Sequence, residues 1–438
     1  MFTEFRFENF KSYKKSTLEL APLSLMIGAN ASGKTNALEA VRFLSWLSEG
    51  VRLEDVVNDV RDLDISIRGD LGELGHHGVR QFRLGCSQSR VSAGEWRHFD
   101  IELSIGDKDI QILNERVWSD ESKVPLYQIA GEAKEYRYEV TVEYNNFARG
   151  GQKPKIHCSN RRPVLTQLDT PSRFNNPESQ RVIPDVTERL RTSLEQILFL
   201  DPNPHQMRGY SHQSETELES NGGNISGVLY HLDEEGRRDE ILQFIRQLPE
   251  QDIKDIRFIH TERGDVMVQL VESFGQGEDE VDAPMLSDGT LRVLAVAAAV
   301  LSAPEGSLIA VEEIDNGVHP SRAGNLLRRI QEVAKERNLR VLLTSHNPAL
   351  LDSLPNEAIP NVICCYRDPT DGDSRLVRLE DISNYPELVA RGPLGRLMTN
   401  GVIEEYVKKQ ISEDERKRRD QEWLDALKED IESSTEQV

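Results

Sequence analysis

The stretch LSLMIGANASGKTNALEAV, residues 23–41, decides the fold. LSLMIG at 23–28 is apolar enough for a buried strand, and NALEAVRFLSWLSEG after Lys34 predicts a helix ended by Gly50. Between them GANASGKT, residues 28–35, satisfies G-x-x-x-x-G-K-[ST] with Gly28, Gly33, Lys34 and Thr35. In such a loop glycine turns let backbone amides wrap phosphates, the lysine reaches the β/γ oxygens, and the threonine hydroxyl binds Mg²⁺. A strand before the loop and a helix after it make the assignment specific, because a helix N-terminus favours an anion.

Three later segments extend the site. SLIAVEEIDNGVHP (307–320) is an apolar strand that delivers Glu312 and Glu313 to its C-terminal end, where α/β sheets bind ligands. One carboxylate can hold the Mg²⁺ shell while the next polarises an attacking water. VLLTSHNPALLD (341–352) is a second apolar strand, ending in Thr344, Ser345 and His346, and makes the histidine a candidate γ-phosphate contact. In MLSDGTLRVLAV (285–296), Ser287 and Gly289 open a helix whose free N–H groups form a further anion site. If that site cannot reach the first within one chain, it should cap nucleotide held by a partner.

Composition bounds the reading. The 438 residues are 37% hydrophobic and 29% charged, with a net charge of −22. That balance argues against general attraction to nucleic acid or anionic membranes. No apolar run approaches the roughly 20 residues a spanning helix needs, and the N-terminus lacks a signal-peptide core. Cys86, Cys158, Cys364 and Cys365 have neither metal-ligand nor disulfide spacing. The expectation is a cytoplasmic protein.

The pattern along the chain predicts a strand at 2–10, antiparallel strands from about 80 to 160, and one helical face through Val186, Leu190, Leu194, Ile197 and Leu198 in 185–200. Two helices fit 224–248, followed by a strand at 266–272. Helices at 289–303, 320–337 and 348–353 then alternate with strands at 307–312, 340–344 and 361–366, which means a parallel sheet with crossovers. DPTDGD (368–373) is expected to turn a hairpin, although its acids have nuclease-like spacing. The basic strip 148–163, with Arg149, Lys153, Lys155, Arg161 and Arg162, reads as a solvated hairpin loop or as a face for DNA or a partner. The tail 403–438 reads as a charged helix that Trp423 and Leu427 could dock.

As a set, FRFENFKSY, GANASGKTN, LSDGT, VEEIDNGVHP and TSHNP resemble, in order, the ABC-type ATPase heads of the SMC, RecF and OLD families. LESNGGNISGVLYHL (218–232) resembles the lead-in to their signature half. The likeness covers about 1–50 and 220–365. It implies an α/β, two-lobed P-loop head, with a mixed or antiparallel β-rich lobe beside a parallel sheet with crossover helices. It implies one domain over 1–402: a nucleotide-binding part at 1–55, a β-rich insertion at about 75–165, a helical part at about 180–250 and a signature lobe at 265–402. The implied cofactors are ATP and Mg²⁺, sandwiched in a homodimer or a higher oligomer.

Carried over by that resemblance, Gly28, Asn30, Ser32, Gly33, Lys34, Thr35 and Asn36 bind nucleotide, with Lys11 as a basic phosphate contact. Thr35 and Glu312 hold the metal, Glu313 is the catalytic base and His346 the switch histidine. Ser287 and Gly289 reach across the dimer as the signature. The chain departs from the pattern at Ala31, in place of a frequent glycine and tolerable if its φ is negative. Other departures are Glu312 where aspartate is usual and Ile314 where proline is common; Gln206 is the candidate for the Mg²⁺-sensing glutamine. The chain has no coiled-coil run for an SMC arm, and the segment after His346 is expected to be too short for a fused Toprim nuclease. The resemblance therefore implies an ATP-hydrolysing head that switches or scaffolds a separate effector in bacterial anti-phage defence. A RecF-like DNA-repair clamp is the alternative, and a membrane-transporter motor fits least.

Overall fold

The computed structural model describes residues 1–54, 67–90, 95–106, 109–131, 138–246, 252–274, 277–315, 320–382 and 384–408. Trp423, Leu427 and most of the charged tail lie outside these residues.

Strands β1 (Phe2–Phe10) and β2 (Tyr13–Glu19) form one edge of an eight-stranded antiparallel sheet. After β3 (Leu23–Ile27), that sheet continues with β4 (Gln81–Gln88), β5 (His98–Ile105), β6 (Ile110–Trp118), β7 (Tyr127–Ile129), β8 (Glu139–Tyr144) and β9 (Lys155–Ser159). β4 pairs directly with β1, so the strand-rich middle of the chain extends the N-terminal sheet.

β3 sits instead inside a six-stranded sheet of order β10-β15-β16-β3-β17-β18. Its other members are β10 (Leu198–Leu200), β15 (Leu308–Val311), β16 (Arg340–Ser345), β17 (Ile363–Arg367) and β18 (Ser374–Arg378). All neighbours are parallel except β17 and β18, which DPTDGD joins as a hairpin. Both faces are buried. Leu25, Ile309, Val341 and Cys364 pack into one core, while Met26, Ala310, Leu342 and Cys365 pack into the other. The two-residue strand period therefore sends the vicinal cysteines to opposite faces, and among the described residues all four cysteines are free thiols.

A third sheet pairs β13 (Asp265–Phe274) with β11 (Ser211–His212), β12 (Ile253–His260) and β14 (Gly277–Asp282). The helices are α1 (Lys34–Ser48), α2 (Pro177–Glu195), α3 (Ile225–Glu234), α4 (Arg238–Ile245), α5 (Asp288–Ser302), α6 (Pro320–Glu336), α7 (Tyr385–Ala390), α8 (Leu394–Thr399) and α9 (Val402–Lys408). In α5 every residue from Val293 to Leu301 is buried, as its small side chains require for close packing. Among the described residues no helix is long and apolar enough to cross a membrane.

Two expectations change. The helix predicted through 185–200 begins earlier, at Pro177, because the Asn176 side chain accepts from the Ser179 amide and proline suits the first turn. It ends at Glu195, and Leu198–Leu200 becomes an edge strand parallel to β15. Three apolar residues fit either structure, and the sheet edge decides. The segment 348–353 is a six-residue 3₁₀ turn rather than an α-helix, capped by the Asn347 side chain.

Candidate nucleotide site

The candidate residues follow the C-terminal ends of four adjacent parallel strands, β15, β16, β3 and β17. That edge is where an α/β sheet exposes loops and helix N-termini to a ligand. β3 leads into the phosphate loop, β15 into Glu312 and Glu313, and β16 into His346, while β17 ends at Arg367.

A cleft of about 430 Å³ brings together Asn30, Gly33, Lys34, Thr35, Asn36, Glu312, Glu313 and His346. Arg68 and Arg367, which sequence reasoning missed, also line it. Gly28 and Ser32 line a second cavity of about 380 Å³, which shares Asn30, His346 and Arg367 with the first. That cavity is walled by apolar residues such as Ile27, Met398 and Val407, whereas the facing carboxylates and Lys34 sit in the first.

The Lys34 ammonium donates to the carbonyls of Gly28 (2.7 Å) and Ala29 (3.1 Å), and burial lowers its pKa from the usual lysine value. Gly33 begins α1 with no side-chain cap and no acid in the first turn, so the positive helix end faces the loop uncovered. The buried Ser32 hydroxyl has no partner among the described residues. These features fit a polyphosphate. A Cβ on Gly28 would lie 2.2 Å from the Cys365 carbonyl, and Gly33 has φ +119°, so both positions require glycine. Ala31 has φ +62°, so the negative φ that would make an alanine tolerable here is not met: the loop holds it in the left-handed region, at about 1–2 kcal/mol.

The loop is braced from behind. The Tyr13 hydroxyl donates to Gly33 O at 3.0 Å, and that of Ser374 donates to Ser32 O at 2.7 Å and lies 2.8 Å from the Ser12 hydroxyl. Asn36 donates to the same Ser12 hydroxyl at 2.7 Å. The NFKSY segment thus serves the site through Ser12 and Tyr13. Lys11, expected on a phosphate, is outside the cleft lining: its ammonium is buried against the Glu39 carboxylate and the Arg68 carbonyl. An internal carboxylate satisfies it better than an open cleft would.

Glu312 faces Arg42 at 3.4 Å; burial raises its pKa from the usual glutamate value, partly opposed by the guanidinium. Thr35 and Glu312 supply the hard oxygens that suit Mg²⁺. Glu313 has φ +49°, and its amide donates to the Thr344 hydroxyl at 3.0 Å. His346 Nδ1 stands 4.0 Å from Asp315, one of whose buried oxygens has no partner among the described residues. Asp315 was legible in VEEID but masked by the two glutamates before it.

Ser287 and Gly289 do not line the cleft. The Ser287 hydroxyl caps α5 by accepting from the Thr290 amide at 3.1 Å, and Arg208 holds Asp288 at 2.8 Å and the Leu286 carbonyl at 3.0 Å. Gln206 lies exposed on the same turn as Arg208, likewise outside the cleft lining. In the basic strip, Lys155 pairs with Glu143 and Arg161 with Glu54.

Fold and site together define an ABC-type P-loop ATPase head. The chain belongs to the family described as "AAA domain, putative AbiEii toxin, Type IV TA system", whose profile matches residues 106–352, more than half of it. That span holds Ser287, Glu312, Glu313 and His346, with the phosphate loop before it. Similar solved structures include an SMC head bound to the C-terminal winged-helix domain of ScpA (16% identity, TM-score 0.45, 86% of this chain and 98% of that one). The SMC head domain from Thermotoga maritima has 12% identity, a TM-score of 0.37 and the same coverages. The Pyrococcus furiosus SMC head with an extended coiled coil, bound to the C-terminal domain of ScpA, has 12% identity and a TM-score of 0.40 over 86% and 96%. No curated protein matches the chain.

Proposed function

We propose that the chain binds and hydrolyses Mg-ATP and that nucleotide closes two copies head to tail, switching a separate effector in bacterial defence. The observation that carries this reading is the separation of parts. Lys34, Thr35, Glu312, Glu313 and His346 share one cleft, while Ser287 and Gly289 lie outside it. A second copy can supply what the cleft lacks. The defence setting rests on the family description, which names a toxin of a toxin–antitoxin system.

Mg²⁺, when bound, neutralises charge on the β/γ-phosphate oxygens. Lys34 swings from the Gly28 and Ala29 carbonyls to the phosphates, and the uncovered end of α1 receives their charge. Glu313 takes a proton from the attacking water, its backbone held by Thr344. His346, steadied by Asp315, donates to the terminal phosphate.

The test is light scattering of Glu313→Gln with saturating Mg-ATP, which should turn from monomer to dimer while turnover drops roughly 100-fold or more. A monomer under those conditions refutes the closure. Lys34→Ala should weaken nucleotide binding by roughly 10- to 100-fold. DNA-stimulated turnover that fades with salt would instead restore the repair-clamp reading, which internal pairing of Lys155 and Arg161 now weakens.

A further inference from the structure

Away from the cleft, two segments far apart in the chain converge on one carboxylate. His76 Nε2 lies 2.7 Å from Asp373 Oδ1, and His77 Nε2 lies 3.6 Å from the same oxygen. The three ligand atoms fall within 4.8 Å of one another. His76 and Asp373 are buried, whereas His77 is exposed on the outer side. We propose that His76, His77 and Asp373 form a binding site for a divalent transition-metal ion of the zinc type.

The donor set is two imidazole nitrogens and one carboxylate oxygen, which suits such an ion with its remaining position left to water. Ligand atoms on one ion at bond lengths of about 2.0–2.2 Å lie roughly 3–3.5 Å apart. The His77–Asp373 separation already matches, and the His76–Asp373 pair needs to open by about half an ångström. A single histidine would satisfy Asp373 as an ordinary hydrogen bond; the second imidazole on the same oxygen is what an ion explains.

The turn is built to present both rings. His77 is held at φ +45°, and its ring stands edge-on to that of His76 with centroids 4.2 Å apart. Gly75 has no room for a Cβ, which would meet the Val79 carbonyl at 1.7 Å, and Gly78 has φ +80°. On the other side, the β17–β18 turn is fixed by the Asp368 amide donating to Asp373 O at 2.8 Å. Among the described residues the nearest arginine or lysine is Arg375, 3.8 Å from the other Asp373 oxygen and closer to Asp371. An ion here would clamp the 76–78 turn to that hairpin. The next residue, Ser374, braces the phosphate loop, so occupancy would stiffen the wall of the nucleotide site.

The test uses untagged full-length protein, stripped with chelator and without nucleotide. Equilibrium dialysis against ZnCl₂ should give one ion per chain, and CoCl₂ should give visible d–d bands. His77→Asn keeps a residue that tolerates positive φ, so the fold persists, and should weaken Co²⁺ binding at least roughly tenfold. Asp373→Asn should do the same, whereas Thr35→Ala, at the nucleotide site, should leave the bands intact. Sub-stoichiometric binding by the wild type, or binding that His77→Asn leaves unchanged, overturns the proposal.

Discussion

Ala31 is a residue the loop does not suit. Held at φ +62°, it carries strain that glycine would not, at about 1–2 kcal/mol, while glycine costs roughly 0.5–1 kcal/mol in unfolded-chain entropy. Ala31→Gly should therefore stabilise the chain by up to about 1 kcal/mol, seen as a higher midpoint in thermal melts. A lower midpoint would mean the strain is absorbed elsewhere. Gly28→Ala should act oppositely and more strongly, since its new Cβ meets the β17 backbone at 2.2 Å. The contrast shows what a pattern of residue types can carry. GANASGKT marks where glycine is demanded, but whether Ala31 sits in a left-handed turn depends on neighbouring strands no local spacing encodes. The same holds for Lys11, whose partner Glu39 comes from α1.

Between elements, Glu115 ties β6 to β7 and to the turn after β9. Its buried carboxylate accepts from the Tyr127 hydroxyl at 2.8 Å and from the Val164 and Leu165 amides at 2.7 and 2.6 Å. Burial outweighs these bonds and pushes its pKa up to about 7, from 4.5. The folded protein thus keeps a proton that the unfolded chain releases. This contribution is fully present below about pH 4.5 and disappears as pH rises through about 7, about 3 kcal/mol in all. Glu115→Gln, though less stable because its amide opposes a backbone N–H, should lose that part of the pH slope in denaturant titrations between pH 5 and 8. Equal slopes for both proteins would contradict the buried charge. Legibility at this scale followed chemistry. The core strands were readable because both buried faces make them continuous apolar runs. β12 and β14 were not, because IKDIRFIH mixes charge into a half-exposed strand and GEDEVD shows no alternation at all. Leu198–Leu200 was misread for a related reason: strand pairing, not composition, fixes so short a segment.

For the whole molecule, the position of the signature turn raises the question of which chain completes which site. In the proposed two-fold pair, each Ser287 would cap the other copy's phosphate loop. Lys34→Ala and Ser287→Arg should each abolish turnover alone, because every site in either homodimer carries a defect. In a mixed pair, one site combines both defects and the other combines two intact parts. Random pairing of equal amounts should then recover roughly a quarter of wild-type phosphate release, since half the dimers are mixed and each has one live site. Recovery depends on the two chains meeting, so it should fall faster than linearly on dilution. Mixtures as inactive as their parents, with both proteins folded, would mean that Ser287 serves its own chain, and the cleft would have to close within a single head. Recovery of roughly half the wild-type rate would instead mean that one live site drives a dimer as fast as two, and would point to alternating hydrolysis.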